Sequence, residues 1–131
     1  MTEQERYDLL SQQIIGSAIE VHRALGPGLL ESADAACLCH ELGLRGLAFE
    51  RQAELPVEYK GLEVDAGFGM DLVVNQLIVV ELKSVDRLEP IHTAQLLTYL
   101  RLSGHWMALL MNFNVPQMPF GIKRLVSGSI K

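Results

Sequence analysis

Residues 71–84 read DLVVNQLIVVELKS, an almost unbroken run of Val, Leu and Ile that carries three charges: Asp71 at its start, Glu81 and Lys83 near its end. Such a run suits strands buried on both faces of a sheet better than an edge strand that alternates apolar and polar residues. Charges in a buried strand cost free energy unless they are paired or hold an ion. Two readings are open: a Glu–Lys surface pair at a frayed strand end, or a site built into the sheet. Residues two apart in a strand share a face, so Glu81 and Lys83 point the same way. Whether Asp71 joins them depends on the connection between the two strands. A two-residue turn at Asn75-Gln76 sets Asp71 against Val80 and turns it away from Glu81. A three-residue loop or a bulge is expected to set it opposite Val79, with Glu81 a diagonal neighbour about 7 Å away on the same face. Two carboxylates at that separation can bind one or two hard cations such as Mg²⁺, and a lysine beside them can hold a water or a phosphate oxygen.

The rest of the chain gives this pair of strands a setting. Leu9, Leu10, Ile14, Ile15, Ala18, Ile19 and Val21 recur at helical spacing, so a helix is expected from Glu3 to Leu25, ended by the GPG at 26–28. A second helix is expected from about Leu30 to Leu44. Beyond it, Phe49, Val57 and Tyr59 suit strands, Pro56 points to an edge position or a bulge, and Gly61 marks a turn. After the charged strands a helix should run from about Glu89 to Ser103, with Pro90 in its first turn and Gly104 closing it. HWMALLMNF reads as another buried strand and GIKRLVSG as a short terminal one. The order is α-α-β-β-β-α-β-β, an α/β sandwich with a mixed sheet flanked by helices.

At 131 residues one domain spanning 1–131 is expected, large enough for a full core. Its longest apolar runs fall well short of the roughly 18 residues a membrane span needs, and the polar start MTEQERYD is unlike a signal peptide. The expected location is therefore the cytoplasm, with no membrane partner. Cys37 and Cys39 lie two apart in a helix and point in different directions, which suits core thiols better than a disulfide or a metal site. A formal charge of −5 offers no general support for nucleic-acid binding, and Arg23, Arg45, Arg51, Lys60, Arg87, Arg101 and Lys123-Arg124 are scattered rather than clustered.

Asp71, nine residues, then Glu81-Leu82-Lys83 resembles the signature of the PD-(D/E)xK nuclease superfamily, with Met70 in place of its proline. GLLESAD at 28–34, after EVHRALGPG, is similar to the motif that names the GxxExxY family within it, and YKG, ELK, QLLTYL and MNFNV fall in that family's order. The resemblance covers roughly residues 10–126. It implies a restriction-endonuclease-like core and a Mg²⁺- or Mn²⁺-dependent phosphodiesterase acting on DNA, with RNA as the other nucleic acid to consider. It further implies metal ligation by Asp71 and Glu81, with Glu31 as a ligand or water-orienting group. Lys83 then orients the attacking water and stabilises charge at phosphorus, and Gln95 with Tyr99 matches a Q-x-x-x-Y element one turn apart on one helix face. These four charged residues, Glu31, Asp71, Glu81 and Lys83, are expected to meet in one concave pocket. His22 is a further metal-ligand candidate, set against a structural role on an apolar helix. His92 reads as a solvated neighbour of Gln95.

Two positions depart from the family pattern. Asp34 stands where the motif has Tyr, and it reads as an added acidic group at the site or, preferably, a solvated face residue. Gly69 stands where the resemblance implies a larger, often basic residue before the strand Asp; glycine there is expected to weaken phosphate contact and open space. So short a chain carries little beyond a catalytic core, so substrate recognition falls to self-association or a partner protein. The rival reading is a catalytically inactive nuclease-fold module that binds nucleic acid or a protein.

Overall fold

The computed structural model describes residues 1–65 and 68–130, apart from the Phe68 side chain. Helix α1 (Glu3–Leu25) starts at Thr2, whose hydroxyl accepts the Glu5 N–H while the Glu5 carboxylate accepts the Thr2 N–H, a closed capping box. It ends at Gly26, whose φ of 77° an L side chain rarely adopts. Helix α2 (Glu31–Leu44) lies against it. Strand β1 (Phe49–Glu54) stops before Pro56, and β2 (Val57–Tyr59) with β3 (Leu62–Val64) makes a separate hairpin. Lys60 and Gly61, both at positive φ, form its turn. Strands β4 (Phe68–Val74) and β5 (Ile78–Lys83) follow, then helix α3 (Pro90–Ser103), β6 (Met107–Asn112), a 3₁₀ turn at Met118–Gly121 and β7 (Ile122–Val126).

One five-stranded sheet runs in the order β1-β4-β5-β6-β7. The β5–β6 pair is parallel, joined by α3, and the other pairs are antiparallel, so the sheet is mixed. The expected three helices are present. Between α2 and α3 the described residues form five strands where three were expected, because Pro56 cuts one strand-forming stretch and Gly61 folds the remainder into its own hairpin.

Two apolar layers clothe the sheet. On one face Ile14, Ala18, Leu38 and Leu42 from α1 and α2 pack on Leu72, Val74, Ile78, Val80 and Leu82. On the other, Leu96 and Leu100 from α3 pack on Met70, Val73, Val79, Ala108 and Leu110. Burying each such Leu or Val stabilises the fold by about 1.5–3 kcal/mol relative to exposing it. Alternation along β5 therefore sends Leu82 toward α2 and leaves Glu81 and Lys83 on the α3 side. Cys39 is a buried free thiol, and Cys37 packs half-buried against the same layer.

Candidate metal and active site

The β4–β5 hairpin pairs Val74 with Ile78, Val73 with Val79 and Leu72 with Val80. Asn75 and Gln76 sit at φ 51° and 56°, and the Leu77 N–H donates to the Val74 carbonyl at 3.0 Å. That is a tight turn with Leu77 as one extra residue, so three residues separate the last pair. This register carries Asp71 directly opposite Glu81, not opposite Val79 as expected, because the extra residue shifts the pairing the other way. The ladder ends at Leu72, and the two carboxylates take over its next donors. The Asp71 N–H donates to Glu81 Oε1 at 2.9 Å, and the Leu82 N–H donates to Asp71 Oδ2 at 2.9 Å. Each carboxylate thus uses one oxygen on the backbone.

Glu81 is 5 % exposed. Burial pushes its carboxyl up to about 8; the charge of Asp71 and a proton shared with its carboxylate add to the rise, while the Asp71 N–H and the Lys83 charge oppose it. Tyr99, half-buried on α3, has its phenol raised by burial and then by the charges of Glu81 and Asp71. Gln95 lies exposed one turn earlier on α3. Lys83 is half-buried, and its carbonyl accepts the Phe113 N–H at 2.9 Å.

A cavity of about 240 Å³ opens on the α2 side of Asp71, lined among others by Glu31, Arg51, Gln52, Asp71 and Leu82. Glu31 and Asp71 both line it. Glu81 and Lys83 are not among the described residues that line it. Strand alternation turns Leu82 toward the cavity and Glu81 and Lys83 toward α3. The four charges therefore do not line one pocket: Glu31 and Asp71 share the cavity, while Glu81 and Lys83 lie on the other face of β5.

Two side chains that sequence reasoning passed over hold this arrangement. The Ser84 hydroxyl donates to the Leu29 carbonyl at 2.8 Å, tying the end of β5 to the loop that delivers Glu31. Asn112, 2 % exposed, accepts the Val85 and Asn114 N–H groups on Oδ1 and donates to the Val85 carbonyl from Nδ2 at 2.9 Å. It clamps the chain just beyond Lys83. The sequence signals for Asn112 are its place in MNFNV and a polar residue closing a fully apolar strand.

His22 is not brought to the pair. It is buried on α1, and its Nε2 lies 2.7 Å from the Val115 carbonyl, where it must act as donor. The ring fastens the loop after β6, the structural role weighed above. His92 does more than face solvent, since its Nδ1 accepts the Glu89 N–H at 2.9 Å and helps close the start of α3. Gly69 opens no space: a Cβ there would collide with the Leu55 Cβ, so the position requires glycine for close packing.

Asp34 also overturns its expected place. It is 2 % exposed, in the layer between the helices and the sheet, and its Oδ1 has no hydrogen-bond partner among the described residues. Burial raises its carboxyl, with the nearby His22 charge opposing and the Glu31 charge adding. A buried polar atom without a partner costs about 1–3 kcal/mol. Asp34→Leu is accordingly expected to raise the thermal midpoint at pH 7, measured by circular dichroism. A lower midpoint would show that Asp34 is satisfied in solution.

The donor set of Asp71, Glu81 and Glu31 is oxygen only, the preference of hard divalent cations, and the raised Glu81 carboxyl reflects burial beside Asp71 that a cation offsets. Among the described residues, no three His, Cys, Asp or Glu side chains stand close enough together to hold an ion already. Among them, too, no helix is long and apolar enough to cross a membrane. No curated protein and no solved structure matches the chain. A family model described as the PD-(D/E)XK nuclease superfamily does match, over residues 8–125, which take in the fork of carboxylates, Lys83 and Glu31. With that match spanning nearly the whole sheet and all three helices, the chain belongs to the PD-(D/E)XK nuclease superfamily.

Proposed function

We propose that the protein is a Mg²⁺- or Mn²⁺-dependent phosphodiester hydrolase acting on DNA, of the GxxExxY branch of its superfamily. The observation that carries the reading is the opposition of Asp71 and Glu81 across the open end of β4 and β5, with Lys83 one strand step beyond. Asp71 and Glu81 would hold the cation, joined by the exposed Glu31 across the cavity. When bound, the cation supplies charge neutralisation at phosphorus and acidifies water. Glu81 gives up the proton that it holds near neutral pH without a cation. Lys83 Nζ donates to the attacking water or to a phosphoryl oxygen, on the face it shares with Glu81. The Tyr99 phenol, kept neutral by burial, donates to an oxygen near the pair, and Gln95 extends that edge into solvent. Recognition of a particular DNA is assigned to a second copy or a partner protein, and the expected compartment is the cytoplasm.

A binding module without catalysis is the second reading. It is favoured by the net charge of −5 and by the lack of a ready three-ligand cluster among the described residues. Incubating the purified protein with linear and circular DNA, single- and double-stranded, in Mn²⁺ separates the two. The hydrolase reading expects fragments that vanish when the cation is chelated. Intact DNA on every substrate favours the module.

A further inference from the structure

Strand β1 changes face at one residue, and β4 changes face opposite it. Along β1, Phe49 and Arg51 pair with Val74 and Leu72, which belong to the α2 layer, whereas Ala53 pairs with Met70 in the α3 layer. Two residues on, an ordinary strand returns to the same face. Here it does not, because Gln52 between them adopts φ 52° and the pairing skips the Gln52–Asp71 step. A left-handed residue inside a strand is uncommon outside glycine and asparagine, and it costs free energy. Its result is that Arg51 stays on the α2 side, at the rim of the cavity holding Glu31 and Asp71, and Gln52 lines that cavity too.

Arg51 is exposed and has no ion pair among the described residues, although two carboxylates line the same cavity. Arg6, Arg23, Arg45, Arg87 and Arg124 each have a carboxylate within reach; Arg101 on α3 has none among the described residues, but it lines no carboxylate cavity with Glu31 and Asp71. Arg51 lies near enough to α2 for its charge to act on the Cys39 thiol. An unpaired guanidinium beside a carboxylate cavity suits an anion delivered from outside, and its planar fork matches two oxygens of one phosphate.

We infer that Arg51 contacts the substrate, binding the DNA phosphate next to the scissile one, and that the left-handed turn at Gln52 is the positioning device that aims it. The inference rests on the phosphodiesterase reading. Arg51 stands on the α2 side of the sheet, opposite the face that alternation along β5 gives to Lys83.

The test uses the full chain and fluorescein-labelled single- and double-stranded DNA oligonucleotides. Binding is followed by anisotropy in Ca²⁺ over a salt series, and cleavage in Mn²⁺. For Arg51→Ala the expected result is about a tenfold rise in Kd and a salt slope lower by about one unit. Mn²⁺ binding should be unchanged, and KM should rise more than kcat falls. Arg51→Lys should recover the salt slope but only part of the affinity. Gln52→Gly, which adopts the turn freely, should bind as the wild type does, whereas Gln52→Val, checked as folded by its melting curve, should resemble Arg51→Ala. Wild-type affinity and slope in Arg51→Ala overturn the inference while leaving the hydrolase reading standing, and wild-type binding by Gln52→Val overturns the positioning role. A wild-type protein that neither binds nor cleaves DNA overturns both readings together.

Discussion

Lys83→Ala is expected to lose Mn²⁺-dependent cleavage by at least about a hundredfold while cation binding and DNA affinity change little. Its ammonium sits on the Glu81 face of β5, and its backbone carbonyl bond to Phe113 survives the substitution, so the fold has no reason to change. Glu81→Ala should lose cleavage as well, but through the cation, whose affinity should fall with it. Cleavage persisting in both variants would identify a contaminating nuclease. In the module reading Lys83 is one phosphate contact among several. The substitution then lowers the salt slope of DNA binding by about one unit, with no cleavage to lose.

The second large effect couples pH to the cation. The Glu81 carboxyl is raised from 4.5 to about 8 in the folded protein. Between those values the folded state holds a proton that the unfolded state has released. Stability from this group is therefore fully present below about 4.5 and is lost as pH rises through about 8, at a slope near 1.4 kcal/mol per pH unit inside the window. Asp34, also raised by burial, acts in the same direction. A saturating divalent cation should remove the Glu81 part of this slope, because it binds the ionised pair, and should raise the thermal midpoint most at pH 8. Melting curves from pH 5 to pH 9, with and without millimolar Mn²⁺, measure both. A midpoint that rises from pH 5 to pH 8 without cation would contradict the assignment.

The helices were legible because their signals are local. The period of Leu10, Ile14, Ala18 and Val21 and the GPG that follows define α1, and Pro90 and Gly104 bracket α3. The buried run from Ile78 to Lys83 was legible for the same reason. A connection longer than two residues around Asn75 was legible and is present, but its register was not: the extra residue, Leu77, sets Asp71 opposite Glu81 rather than opposite Val79. Asp34 was misread because burial is decided by how α2 rolls against α1, and SADAACL carries small residues on every side. Gly69 was read as open space, yet the position is filled from outside by Leu55, a contact across 14 residues of chain. Gln52 gave no sign of its left-handed backbone, since glutamine has no special preference for that region. The carboxylates and Lys83 stood out on charge in an apolar setting, whereas Ser84 and Asn112, which hold them, carry no charge to betray them.

Isothermal titration of Mn²⁺ into the wild type and into Asp71→Ala, at pH 7 and in two buffers of different ionisation enthalpy, asks whether Asp71 and Glu81 hold a cation. The wild type should give a binding isotherm whose heat depends on the buffer, reporting release of about one proton from Glu81, and Asp71→Ala should give none. The same isotherm from both proteins, or none from the wild type at millimolar cation, would contradict a metal site built on Asp71 and Glu81.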